Sequence, residues 1–247
     1  MANASRRERL RAAQVAQHKR RRIRVIAAAG VAVGAVVVIM AMLWSSFGGS
    51  NPKAADRPPN ATAASDGIVV NPGVTAAGAP VVGLYLDYQC SHCIEFEEKF
   101  GFTLNEMSNK GEIQLVNHTK VFLDKGDNNG LSHKAAMAAA CADVAGVYKD
   151  YHQRIVASAR SGPYTDELLR NELPTASGLT GEKLNAFQAC YDNKTMLGWV
   201  NGVEEASAKA GVTGTPTVMV NGKPLDLNTL TGDDADIRKE IMAAAKG

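Results

Sequence analysis

A chain of 247 residues has room for one sizeable domain with appendages, and a hydrophobic content of 45% is ordinary for a folded protein. The formal net charge of +2 hides a segregation: residues 1–24 carry nine Lys or Arg against the single acid Glu8, whereas from Ala54 onward 24 acidic side chains outnumber 17 basic ones. The folded portion is therefore acidic, which argues against an electrostatic nucleic-acid surface.

After Arg24 no Lys, Arg, Asp or Glu appears until Lys53. Within that stretch Val25 to Trp44 is almost unbroken apolar sequence, about the length of a helix that crosses a ~30 Å hydrocarbon layer. It exceeds the roughly 7–15-residue apolar region of a cleaved secretory signal, so residues 25–47 read as an uncleaved transmembrane anchor. The basic tail at 1–24 then lies in the cytoplasm by the positive-inside rule, and the remainder is extracytoplasmic. Residues 48–66, rich in Ser, Gly, Pro, Ala and Asn, read as a flexible linker. All four cysteines (Cys90, Cys93, Cys141 and Cys190) follow the apolar run. An even number in an exported domain points to disulfide chemistry before metal binding.

The folded domain is assigned to residues 67–247. Gly67 to Asn71 is a candidate edge strand, and Pro80 to Leu86 (PVVGLYL) a candidate buried strand that runs into DYQCSHC. From Ser91 the period changes: Ile94, Phe96, Phe100, Leu104 and Met107 recur at helical spacing until Gly111. Glu95, Glu97 and Glu98 fall between them as exposed helix face. Ile113 to Phe122 reads as a second strand, so the order strand, helix, strand fits a parallel crossover. Residues 128–210 carry no strand signal and are Ala-rich and helical, as expected of an inserted helical subdomain. The sheet resumes in TPTVMVNGKPLDL at 215–227, where Asn221-Gly222 is a two-residue hairpin signal. A last helix over 233–245 presents Ile237, Ile241, Met242 and Ala245 on one face. The fold class is α/β, with a thioredoxin-type layout.

Cys90 sits where the first strand gives way to the helix. Unpaired backbone N–H groups and the positive end of the helix dipole favour a thiolate there, as would an imidazolium at His92. Cys93, one turn further in, is placed to be more buried and to resolve a mixed disulfide. A zinc site would need two further ligands, and His118, His133 and His152 lack tight ligand spacing. His118 and His133 read as satisfied core or surface histidines, and His152 as helix surface. If Cys90 pairs with Cys93, Cys141 is left with Cys190 as a structural staple between two helices.

The strand before DYxCxxC, the helical insertion, Gly214-Thr215-Pro216 followed by a hairpin, and the N-terminal anchor together resemble the DsbA-like, membrane-tethered disulfide oxidoreductases of bacteria, particularly the actinobacterial type. The resemblance covers roughly residues 67–247. It implies that Cys90 is the nucleophile and Cys93 its resolving partner, and that His92 stabilises the Cys90 thiolate. It further implies that Thr215 and Pro216 form the cis-proline loop lining the substrate-peptide site. Ser91 departs from the proline often found at its position, which bears on redox strength. Asp87, three residues before Cys90, is either a proton carrier for Cys93 or a solvated strand-end cap. The implied activity is oxidation of reduced secreted proteins without a bound cofactor, with reoxidation by a separate quinone-linked membrane enzyme. The competing readings are a reductase or isomerase, a non-catalytic peptide-binding module with structural cysteines, and a zinc-binding module.

Overall fold

The computed structural model describes residues 56–246. The basic tail, the apolar run at 25–47 and residues 48–55 of the linker lie outside them. Among the described residues no helix is long and apolar enough to cross a membrane.

Strands β1 (Ile68–Val69), β2 (Val81–Leu86), β3 (Gln114–Thr119), β4 (Thr217–Val220) and β5 (Lys223–Pro224) form one mixed sheet in the order β1-β3-β2-β4-β5. β2 is central and, apart from Val81, buried on both faces, which is why its sequence shows no polar alternation. Helix α1 (Ser91–Asn109) makes the crossover from β2 to β3, which run parallel. Its face of Cys93, Phe96, Phe100, Leu104 and Met107 is buried in the core. Gly111 ends the turn after α1 at φ +72°, and a Cβ there would meet the Val74 carbonyl oxygen at 2.5 Å, so glycine is required on both counts. β4 runs antiparallel to β2, with Tyr85 opposite Thr217. Continuing that register places the segment just before β4 beside the segment just after β2. The β4–β5 turn has Asn221 and Gly222 both at positive φ, as the dipeptide predicts.

The insertion consists of α2 (Leu131–Val144), α3 (Tyr148–Ser158), a π-helical turn (Leu168–Glu172), the short α4 (Leu173–Ala176), α5 (Gly181–Asp192) and α6 (Leu197–Lys209). α2 is its centre. The small residues Ala135, Ala136 and Ala138 to Ala140 are all buried, which lets α3, α5 and α6 pack against it on several sides. Gly146, at φ +78°, separates α2 from α3 within what reads in sequence as one helical run. The last helix, α7 (Asp234–Ala244), buries Ile237 and Ile241 against the sheet domain, whereas Met242 is exposed and not part of that face.

Three expectations from composition are corrected. Residues 56–66 are folded onto the domain: Asn60 donates from its backbone N and Nδ2 to the Asp143 carboxylate at 2.9 and 2.8 Å, and Ala61 bridges Ile68. Burial pushes the Asp143 carboxyl above its usual range, and the two Asn60 donors act against that. His152 is not on the surface but 2% exposed, with Nδ1 2.9 Å from the Tyr88 hydroxyl and Nε2 3.2 Å from Glu97 Oε1. Glu97 correspondingly leaves the exposed face of α1, its side chain being 8% exposed. This Tyr88–His152–Glu97 group pins α3 of the insertion to α1 and to the segment before Cys90. Replacing His152 by alanine is expected to lower stability by about 3 kcal/mol, since it strands a buried carboxylate and a buried phenol. Chemical denaturation of the reduced protein measures this.

Candidate active site

Cys90 is the N-cap of α1, with extended backbone (φ −79°, ψ 112°) and no side-chain cap on the helix's first N–H groups. Its own carbonyl accepts from the backbone N–H groups of Cys93 and Ile94, which fixes it at the first turn. The sulfur is partly exposed and donates to the Thr215 carbonyl at 3.5 Å. The Thr215-Pro216 peptide is cis. Cys93 lies one turn inward at 1% exposure, and both cysteines are free thiols. Burial pushes the Cys93 thiol up to about 12, with the neighbouring Cys90 adding to the rise. The Thr215 hydroxyl and the Asp87 backbone act in the opposite direction. Thr215 Oγ1 is itself buried outside hydrogen-bonding geometry with any partner.

One sulfur is thus reachable and the other is held protonated behind it. Brief treatment of the reduced protein with iodoacetamide at neutral pH is expected to label Cys90 and leave Cys93 unmodified, as read by peptide mass spectrometry. Labelling of both thiols at similar rates would contradict the asymmetry.

Asp87 is fully buried rather than a solvated cap. Its carboxylate accepts from the Gln89 backbone N at 2.9 Å and the Ser132 hydroxyl at 2.7 Å, and from the Leu123 backbone N at 3.4 Å. Burial raises its pKa, and these donors offset part of the rise. The carboxylate makes no hydrogen bond to Cys93, so the arrangement holds the loop before Cys90 against the start of α2. Gln89, which sequence patterning passes over, reinforces this by donating through Nε2 to Asp124 at 2.8 Å and to Ser132 at 2.7 Å. Asp124 also accepts from His133 Nδ1 and from the backbone N–H groups of Ser132 and His133. Nothing near Gln89 in sequence signals these partners, which are 35 and 43 residues away.

His92, between the two cysteines, is exposed. Its side chain is 78% exposed, 3.8 Å from Glu95 Oε2, and forms no hydrogen bond with Cys90. His118 stacks on Tyr85 and bonds the Asp66 carbonyl, and His133 is buried on Asp124. Cys141 and Cys190 are joined to each other, linking α2 to α5. Among the described residues no group of three or more His, Cys, Asp or Glu side chains is placed to hold a metal ion.

A family model described as thioredoxin matches residues 73–235, which include both cysteines of the pair and the cis-proline loop. The chain belongs to the thioredoxin family. Among solved structures it is similar to MdbA, a thiol-disulfide oxidoreductase from Actinomyces oris, at 21% identity and TM-score 0.63, covering 79% of this chain and 97% of that one. The corresponding protein from Corynebacterium diphtheriae gives 18% identity and TM-score 0.62, covering 80% and 98%. DsbA from Mycobacterium tuberculosis gives 23% identity and TM-score 0.54, covering 72% and 99%. These are likenesses of fold. No match was found among curated protein sequences.

Proposed function

We propose that this protein is an extracytoplasmic, membrane-anchored thiol:disulfide oxidoreductase that donates the Cys90–Cys93 disulfide to reduced secreted proteins. The observation that carries the reading is the asymmetric pair: a reachable Cys90 at a helix start, 3.5 Å from the carbonyl of a cis Thr215-Pro216 loop, backed by a buried Cys93. A client thiolate attacks Cys90 Sγ. The client–Cys90 bond forms as the Cys90–Cys93 bond breaks, and the electron pair passes to Cys93 Sγ, which takes up a proton. A second client thiolate then attacks the client sulfur of the mixed disulfide, closing the client's disulfide and expelling Cys90. Two electrons have moved from the client to the pair.

The Thr215 carbonyl and Pro216 supply a backbone platform for the client segment, while Asp87, through Gln89 and Ser132, keeps Cys90 in position. Direction depends on how well the reduced pair is stabilised. The positive end of α1 favours electrons left on Cys90, and His92 adds to that when protonated. Turnover needs a separate oxidant, for which a quinone-linked membrane enzyme is the proposed partner. The Cys141–Cys190 disulfide in the same domain supports an oxidising compartment.

Equilibration in glutathione buffers tests the direction. A reduction potential near those of oxidising family members, about −120 to −180 mV, is the expected result. A value at or below about −270 mV would overturn the oxidase direction in favour of a reductase.

A further inference from the structure

Beside Cys90 a cleft of about 460 Å³ lies between the start of α1 and the segment Ala159 to Tyr164 of the insertion. Gln89 and Ser91, the two chain neighbours of Cys90, both form part of its wall. A polypeptide joined to Cys90 Sγ is thus bonded to the residue between two that line the cleft. Its floor is apolar and aromatic, from Tyr88, Ile94 and Tyr164. The Tyr164 hydroxyl is already committed to the carbonyls of Tyr88 and Ile155, so the ring offers its carbon surface and no free polar group.

The rim is charged, by Arg160 and Glu95. Arg160 is paired with Glu98, and Glu95 adds a second carboxylate within electrostatic reach of the same guanidinium. Glu95 is 59% exposed, and its nearest basic partner is His92 at 3.8 Å. Of the residues that line the cleft only Glu95 and Arg160 are charged, and the Arg160 guanidinium is already paired with Glu98 beyond the wall, which leaves Glu95 as the carboxylate open to a cation.

Resting on the oxidoreductase reading above, we propose that this cleft is a specificity subsite for a lysine or arginine of the client, close in sequence to the cysteine that attacks Cys90. The aliphatic stem lies along Tyr88, Ile94 and Tyr164, and the cationic head reaches Glu95 at the rim. Cys90 then fixes the client covalently, the Thr215-Pro216 loop aligns its backbone, and the cleft selects its side chain. A client glutamate at that place meets Glu95 and is disfavoured.

The test uses short, unstructured dithiol peptides that differ only in one residue flanking the first cysteine (Lys, Leu or Glu, placed before it in one set and after it in another). Each reduces the oxidised protein at low salt, and the rate is followed by acid quench, alkylation and mass spectrometry. In one of the two sets the Lys peptide is expected to react roughly three- to fivefold faster than the Glu peptide, the range of a single exposed charge contact. Glu95→Lys is expected to reverse that order, and Ala159→Phe, which fills the cleft, to level the three rates. Reading ratios between peptides cancels any change in the pair's own reactivity, which the rate with dithiothreitol measures separately in each variant. Equal rates for all wild-type peptides, or an order that survives Glu95→Lys, would overturn the subsite. If the wild-type protein reacts with dithiothreitol but with no peptide, the oxidoreductase reading itself fails, and the subsite with it.

Discussion

Cys93→Ala is expected to turn a protein that passes disulfides on into one that keeps its partners, whereas Cys90→Ala is expected to lose transfer altogether. The difference follows from where α1 puts each sulfur. In Cys93→Ala the partly exposed Cys90 still attacks a client disulfide, forming a mixed disulfide and releasing one client thiol, but no second thiol stands behind it to expel the client. The adduct should accumulate as a reductant-sensitive band on a non-reducing gel. In Cys90→Ala the remaining thiol is the one that burial, at 1% exposure, pushes well above the ordinary thiol range, so at neutral pH it stays protonated. It cannot take over the attack. Transfer that persists in Cys90→Ala, or turnover unchanged in Cys93→Ala, would sink the assignment of the two roles and favour a peptide-binding module with structural cysteines.

The same asymmetry explains why the loop before Cys90 is held so firmly. On the proposed function, the resolving thiol Cys93 works only if it stays within reach of the sulfur it must attack, Cys90 Sγ. The strand β2 delivers residues 87–90 to the helix start, and the insertion clamps them from outside. Asp87 is tied to Ser132 and to the Leu123 backbone, Gln89 to Asp124 and Ser132, and Tyr88 to His152. Every residue from Asp87 to Gln89 therefore has a partner in the insertion or in the turn leading to it. On this view the helical subdomain is part of the site, since it positions Cys90 and walls the cleft beside it.

Most of this frame can be read from the chain itself. The apolar run of β2, the period change after Ser91, the Asn221-Gly222 turn and the Ala-rich insertion each depend on residues adjacent or one turn apart, which is the range over which patterning carries information. The cysteines also sort themselves, since one pair is close in sequence and the other falls in two separate helices. What escaped is long-range. Asn60 looks like linker because its composition is polar, yet it satisfies the buried Asp143, 83 residues away. His152 and Glu97 look like solvated helix face because each is polar within its own helix, yet they meet 55 residues apart in the core. Asp87 falls in the same class: its burial depends on donors brought by Ser132 and Leu123, which no local pattern announces. His92 keeps the helix-start position that the pattern gives it, with an exposed side chain 3.8 Å from Glu95.

Removal of the second disulfide, by Cys141→Ala with Cys190→Ala, is expected to cost about 4 kcal/mol of stability, because the bridge closes a loop of some 50 residues in the unfolded chain. For a domain of this size that corresponds to a fall in Tm of roughly 8–16 °C. The loss should fall on the insertion first. Cys141 is fully buried in α2, the helix against which α3, α5 and α6 pack, and its partner is the only covalent link from α2 to α5 besides the chain itself among the described residues. At temperatures where the variant remains folded, Cys90 and Cys93 keep their strand, helix and cis-proline neighbours, so the rate of reduction by dithiothreitol should match that of the parent protein. Thermal unfolding followed by circular dichroism, alongside that rate, separates the two roles. A variant that keeps its Tm would show that the unfolded chain is not much constrained by this bridge. One that keeps its Tm but loses reactivity at Cys90 would show that the bridge acts on the geometry of the site, and not as a staple.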